Sequence, residues 1–388
     1  MVKYLIIIVL LLSSWHSFGQ EMRIGLIRTL KIRTISIEVH EGSYSIYGDS
    51  TFIGKLGSAR FQLHDQGVKF QQGETNHVFS KVVIVQDNAN SALMVKSITP
   101  GSKVHYFRDN LEITRESSTR LGVVNLVDMD NYLSGVIESE GGGGRHVEYY
   151  KVQALMSRTY ALKNEHRHHK EGFSLCDGVH CQAYHNMLRH TPKIAVAVKE
   201  TSGEVLVDQQ NELVTTYFSA NCGGQTCDAS YIWNTSVPYL ETFQDTFCIH
   251  TRQSKWTKSI GKYAWKKFLE DEYGVTENKY GNLIYNFNQS QRRAFYIHPS
   301  LGVPLRDLRK KFRLKSTYFS TRLEGENVVI SGSGFGHGVG LCQEGAMNMA
   351  KAGYSYDQIA LFYFSRVRII DYYRTQFFSQ KKESDASD

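Results

Sequence analysis

Proline is scarce in this chain, and so are long apolar runs and basic tracts. Five prolines in 388 residues, beside 32 glycines and 12% aromatics, exclude a disordered or proline-rich polymer and describe a well-packed globular protein. The longest apolar run, Tyr4 to Leu12, falls short of the roughly 20 residues a membrane-spanning helix needs, and no later stretch reads as a span. No run of lysine or arginine of the nucleic-acid type occurs, so the net charge of +7 points only weakly to an anionic polymer or surface. No repeat at a fixed period is visible, which removes the solenoids. Length allows about two domains.

Lys3, the short apolar run and Ser17-Phe18-Gly19 have the layout of a signal peptide. Residues 1–19 are therefore expected to be removed, leaving an exported, extracytoplasmic protein with no membrane span; an uncleaved anchor is the alternative. From 22 to 115 short β-rich runs such as Thr34–Val39, Ser43–Gly48 and Ser80–Val85 alternate with turn signals, which predicts a small β-rich domain. A second domain is expected over 116–375, and a polar tail over 376–388.

The stretch from Asn131 to Leu162 organises that second domain. A short apolar run leads to Glu140, then four glycines (141–144), then a helix on which Val147, Tyr150, Ala154, Ser157 and Ala161 share one small, apolar face. The reading places the Glu140 carboxyl beside an uncrowded loop, close to the positive end of a helix. A surface or capping carboxylate is the plainer alternative.

Three later stretches carry chemistry. Cys176, His180 and Cys181 lie just after the histidines 166, 168 and 169, a density that suits tetrahedral zinc with one upstream imidazole as fourth ligand. A Cys176–Cys181 disulfide competes with that reading. Gly203 to Phe218 reads as a β-hairpin running into Ser219 and a glycine pair, and one disulfide among Cys222, Cys227 and Cys248 is expected, its pairing unreadable. In Ser331 to Ala346 glycine recurs at every second position, which fits neither a phosphate loop nor a dinucleotide fingerprint. It reads as a strand bare enough for a polymer to lie on, with His337 and Gln343 beside it. Helices around Trp265 and Leu305–Phe312 are expected to be core or lid, and Ser355 with Gln358 predicts a capping box.

Together these motifs resemble the SpoIID/LytB family, the stage II sporulation protein D group of cell-wall proteins. The family pattern is met by Tyr132 to Glu140, Lys151 to Ala154, Arg158 to Ala161, Tyr217 to Gly224 and Gly334 to Ala346. The resemblance covers about Leu111 to Asp371. It implies an α+β fold, a curved mixed β-sheet with packed helices forming a glycan cleft. It also implies a lytic transglycosylase cutting peptidoglycan between N-acetylmuramic acid and N-acetylglucosamine, with Glu140 as catalytic acid. Gln182, Tyr184, Ser219, His337 and Gln343 become the candidates for holding the glycan. Some members carry zinc in the region matching Cys176 to Cys181; His169 is taken as the fourth ligand, with His168 the alternative. Two departures stand out: the glycines 141–144 replace bulkier residues, and Cys222 replaces a small hydroxyl. Other members enhance cell-wall amidases, so an amidase is a possible partner and a non-catalytic role the alternative.

A single acid is enough for this chemistry. Ordinary glycoside hydrolysis uses two carboxylates because a water or a covalent intermediate is involved. When the muramic C6 hydroxyl attacks its own anomeric carbon, one residue can give a proton and then take one back. The rival hydrolase would pair Glu140 with Glu138 or Asp130.

Overall fold

The computed structural model describes residues 20–372. The expected signal segment and polar tail lie outside the described residues. The architecture is mixed α and β.

Two antiparallel-rich sheets make the first half. The larger has seven strands in the order Leu175–Cys176, Glu21–Gly25, Arg120–Asp128, Asn110–Ser117, Lys81–Gln86, Tyr44–Gly48, Thr51–Lys55. The other runs His105–Arg108, Ala92–Thr99, Thr34–Glu41, Ser58–His64, Gly67–Gln72, Thr75–Phe79. Alternation sets the faces: Ile35, Ile37, Ala59 and Phe61 on one sheet, Val82, Ile84, Leu111 and Ile113 on the other, all enter one buried core. The boundary expected at 115 falls inside an antiparallel hairpin, because Asn110–Ser117 pairs with Arg120–Asp128. Glu21–Gly25 then pairs with Arg120–Asp128 on one side and with Leu175–Cys176 on the other. The β-rich unit is thus stitched directly to the segment that carries the cysteines.

Helix α1 (Met129–Gly141) starts straight off that sheet, capped by the Asp128 carboxylate, which accepts from the Asp130 N–H at 2.9 Å. Tyr132, Leu133, Val136 and Ile137 bury its inner face. Gly135 is required where α1 meets the loop after Cys181: a Cβ there would overlap the Asn186 carbonyl and stand 2.5 Å from the Tyr184 ring. Helix α2 (Val147–Lys163) is buried on nearly every side from Tyr149 to Leu162, so it is the central core helix and not a one-faced surface helix. Arg158 anchors it, donating to the Thr201 carbonyl at 2.7 Å and the Val198 carbonyl at 3.2 Å at the end of α3 (Lys193–Glu200). Of the hairpin expected over 203–218 only the turn end forms, where the Asp208 N–H donates to the Glu212 carbonyl at 2.9 Å and the Val214 N–H to the Leu206 carbonyl at 3.1 Å. Glu204–Val207 pairs instead with Arg368–Asp371, and only a lone bridge links Val207 to Leu213.

Residues 255–333 build a core of their own. Three antiparallel strands, Lys255–Gly261, Asn327–Ser333 and Phe319–Glu324, follow the short helix α4 (Ser230–Trp233). They pack with α5 (Lys262–Tyr273), α6 (Glu277–Tyr280) and α7 (Leu305–Phe312). Trp265 sits fully buried at its centre, stacked on Phe312 and donating its indole N–H to the Ile284 carbonyl at 2.9 Å. The two helices expected as core or lid are the core of this second unit. Helices α8 (Gln343–Lys351) and α9 (Tyr356–Tyr363) close the chain against α2, and α9 carries the expected capping box.

Candidate functional site

Glu140 lies in the last turn of α1, before the chain leaves the helix through Gly142 at φ +63°. This is the carbonyl end of α1; the helix whose positive end the sequence reading sets beside Glu140 is α2, which begins at Val147 after the glycines. The Glu140 side chain is half-buried, and its Oε1 accepts the Ala183 N–H at 2.9 Å. Burial pushes its carboxyl above the ordinary glutamate range, against the opposing pull of that N–H and of His185. The carbonyl end of α1 favours the neutral acid as well. The glycine loop is held, not loose: the Tyr150 hydroxyl donates to the Gly142 carbonyl at 3.2 Å and accepts the Arg145 N–H at 3.0 Å.

The other carboxylates of α1 are committed elsewhere. Glu138 accepts the N–H groups of Arg189 and His190 at 2.8 and 3.0 Å. Asp130 is paired with Arg158 at 3.7 Å and lies ten residues, about 15 Å, up the helix.

A seam of polar atoms without protein partners runs beside this acid. Tyr149, Gln153 and Ser157 recur every four residues along α2, and the Tyr149 hydroxyl, both polar atoms of the Gln153 amide and the Ser157 hydroxyl are buried yet unpaired. The Gln343 amide nitrogen, at the start of α8, is buried and unpaired too. Glu140 and Cys342 both act on the charge of Tyr149, so this end of the seam lies near both. Sequence reasoning missed Tyr149 and Gln153. Their signal was polar side chains at helical spacing in a segment otherwise filled with core residues.

The remaining expected residues divide. Gln182 and Tyr184 are closed into the core: Gln182 accepts the Tyr132 hydroxyl at 3.2 Å, and the Tyr184 hydroxyl donates to Asn125 at 3.0 Å. Both shape the loop that presents the Ala183 N–H, and neither faces an open surface. Ser219 is buried and accepts the Gly338 N–H at 3.2 Å.

The glycines at 334, 336, 338 and 340 do not leave a bare strand for a polymer. All four have positive φ, and a Cβ on them would run into Asn221, Ser219, Arg292 and Tyr217 respectively. The chain's own backbone occupies the space. His337 is correspondingly a latch: its Nδ1 accepts the Val339 N–H at 3.0 Å and it hydrogen-bonds the Phe218 backbone. Burial and the neighbouring guanidinium groups of Arg309 and Arg292 pull it down to about 4, so the ring is neutral. One ring neighbour is Trp233, 41% exposed and stacked on Tyr217 with centroids 4.2 Å apart. This exposed aromatic platform was also missed, since a lone tryptophan in a short helix has no sequence signature.

The Cys/His stretch converges as a four-ligand group, with one change of membership. His168, Cys176, His180 and Cys181 bring their ligand atoms within 4.8 Å of one another. His169 is not in the group; its ring turns to His166, 5.7 Å away. The reason is the one-turn helix His169–Glu171, which points neighbouring side chains in different directions. Cys181 Sγ lies 3.4 Å from His168 Nε2, and Cys176 Sγ 3.8 Å from His180 Nδ1. The Cys181 thiol hydrogen-bonds Cys176 and holds it well below the ordinary thiol range, with Cys181 raised in return. All six cysteines are free thiols, so neither expected disulfide forms.

Comparison with known proteins gives the same family from several sides. The family described as stage II sporulation protein, SpoIID, matches residues 117–207. An uncharacterized protein of Brachyspira hyodysenteriae is 30% identical over 260 residues, 65% of this chain and 69% of that protein. The stage II sporulation protein D of Bacillus subtilis is 27% identical over 63% of this chain and 75% of its own length. The amidase enhancer of the same organism is 27% identical over 62% of this chain, which spans only 40% of that longer protein.

Proposed function

The chain belongs to the SpoIID/LytB family, and from that premise we propose that it is an exported peptidoglycan lytic transglycosylase with Glu140 as its single acid and base. The observation that carries this reading is the Glu140 carboxyl, half-buried, raised by desolvation and held by one neutral N–H. A carboxyl so placed keeps its proton to higher pH, which is what protonating a glycosidic oxygen requires.

The reaction balances on that one group. Glu140 gives its proton to the leaving oxygen as the bond from the muramic C1 breaks. The C6 hydroxyl of the same sugar then bonds to C1, and the Glu140 carboxylate takes the hydroxyl proton. The products are a 1,6-anhydro sugar and a free hydroxyl, and ring closure within one bound sugar avoids the entropic cost of a second reactant. The positions of Glu138 and Asp130 support this over hydrolysis: one is bound to backbone amides, and the other lies beyond the roughly 5–9.5 Å that paired carboxylates use. Trp233, exposed and stacked on Tyr217, is suited to stacking on a sugar face.

Zinc fits His168, Cys176, His180 and Cys181. The two thiols and two imidazoles are a recognised donor set for that ion, and His168 Nδ1 lies 2.6 Å from Glu171, the outer carboxylate that orients a ligating imidazole. Four protein ligands leave no place for a reactive water. Zinc there would cross-link the end of α2 to the loop that delivers the Ala183 N–H to Glu140, two residues beyond Cys181.

A second reading is favoured by the relative named amidase enhancer: a glycan-binding module that raises a cell-wall amidase's activity. One experiment separates the two. Purified wild type and Glu140→Gln are incubated with intact and peptide-stripped glycan, and the products are weighed. The transglycosylase reading expects 1,6-anhydro ends from wild type and none from the variant. Reducing ends mean hydrolysis. No cleavage by wild type, with amidase stimulation unimpaired in Glu140→Gln, means the enhancer.

A further inference from the structure

Among the described residues a second four-ligand group, distinct from the Cys/His set, is assembled by the tertiary fold: Cys222, Asp245, Cys248 and Cys342. We propose that it is a structural metal site for a borderline-soft divalent cation, zinc above all.

Its ligands come from three separated segments: the loop after Phe218–Ser219, the turn around Asp245 to Cys248, and the first turn of α8. All four residues have no solvent exposure, and their ligand atoms lie within 4.8 Å of one another. Cys222 Sγ is 3.2 Å from Asp245 Oδ2 and 3.4 Å from Cys248 Sγ. With zinc–sulfur bonds of about 2.3 Å, the edge of a tetrahedron is about 3.7 Å, so a small expansion admits the ion.

A second observation concerns what surrounds the ligands. The N–H groups of Cys222 and Gly345 point at Cys342 Sγ, at 3.3 and 3.4 Å, and the backbones of Gly223 and Gly224 hydrogen-bond Cys248. Amide donors aimed at sulfur suit thiolates, and Cys342 also caps the positive end of α8. Asp245 is oriented in turn: Oδ1 accepts the Phe247 N–H at 2.9 Å and Oδ2 accepts the Tyr363 hydroxyl at 3.0 Å. A Cβ on Gly345 would stand 2.8 Å from Asp245 Oδ2, so the close approach of α8 to the carboxylate needs glycine there.

The alternative of a Cys222–Cys248 disulfide would leave Cys342 and a buried carboxylate facing it without a cation, whereas a bound dication neutralises two of the four ligand charges and the amide and hydroxyl donors aimed at Cys342 and Asp245 disperse the rest. On binding, each thiol releases its proton to solvent, and four protein ligands leave no open position. The ion would pin the Asn221–Gly224 loop and the start of α8, the elements that hold His337's latch and Gln343.

The test is metal content of the full chain, purified in zinc with a mild reductant, by mass spectrometry. Wild type is expected to hold one zinc per four-ligand group. Cys222→Ser is expected to lose one, and Cys176→Ser to lose a different one, leaving this site filled. Equal zinc in wild type and Cys222→Ser overturns the proposal, as does a Cys222–Cys248 disulfide in the peptide map of zinc-loaded wild type. If Cys222→Ser does not fold, alkylation of wild type decides. Cys222, Cys248 and Cys342 should become reactive when a strong chelator is added, and an unchanged pattern refutes the site. A failed transglycosylase assay would leave all of these readouts intact.

Discussion

A carboxyl that must carry a proton to begin a reaction and lose it to finish is governed by its surroundings. Burial raises Glu140, and the Ala183 N–H and His185 limit the rise. The sign for activity follows: cleavage should fall as pH rises through the raised native value, because the acid form is then lost. The sign for stability is the same. A carboxyl raised in the folded state contributes fully below its unfolded value, and the contribution is lost as pH rises through the folded one. Glu140→Gln, which cannot ionise, should therefore melt above wild type at neutral pH, with the gap closing below about pH 4. Thermal melts across that range check it, and a variant that melts lower at neutral pH refutes the burial argument. Trp233 is the other residue with a direct prediction. Trp233→Ala should weaken glycan binding roughly tenfold, about 1.4 kcal/mol, with little change in melting, because the indole is exposed. Calorimetric titration with soluble glycan fragments measures it.

Single elements show why some local signals were legible and others were not. The capping box at Ser355 and Gln358 spans four residues and depends on nothing beyond them, so its pattern was sufficient. The alternating glycines of 334–340 have an equally clear pattern, but its meaning lies in what they touch. Gly340 and Gly353 make the point testable. Both have positive φ, so alanine at either costs roughly 1 kcal/mol of backbone strain. A Cβ at Gly340 also overlaps the Tyr217 carbonyl, while one at Gly353 meets nothing within 4 Å. Gly340→Ala should therefore lose about 1–3 kcal/mol more than Gly353→Ala in chemical denaturation. Equal losses would mean that the loop yields freely.

At the scale of the molecule, two hydrophobic cores are joined by backbone contacts, such as the Gly336 N–H on the Lys315 carbonyl at 2.9 Å, and by a few long side chains. Arg292 reaches out of the second core's polypeptide to donate to the Cys222 and Gln225 carbonyls at 2.6 and 2.7 Å. Trp265 is the centre of that second core, and Trp265→Ala should cost about 3–5 kcal/mol. Because the cores are separate, hydrogen exchange should show protection lost across 255–333 and kept in the strand Arg120–Asp128. A uniform loss over both would mean that they unfold as one unit.

The sequence by itself determined the family, the β-rich beginning and the three residues gathered with His168, since these rest on short-range order and spacing. Tertiary structure alone decided the rest. It chose His168 over His169, set Glu140 at the negative end of α1, gave 255–333 its own core and brought Cys222, Asp245, Cys248 and Cys342 together. Each of these depends on which segments meet across tens to hundreds of residues, and such meetings leave no periodicity in the chain.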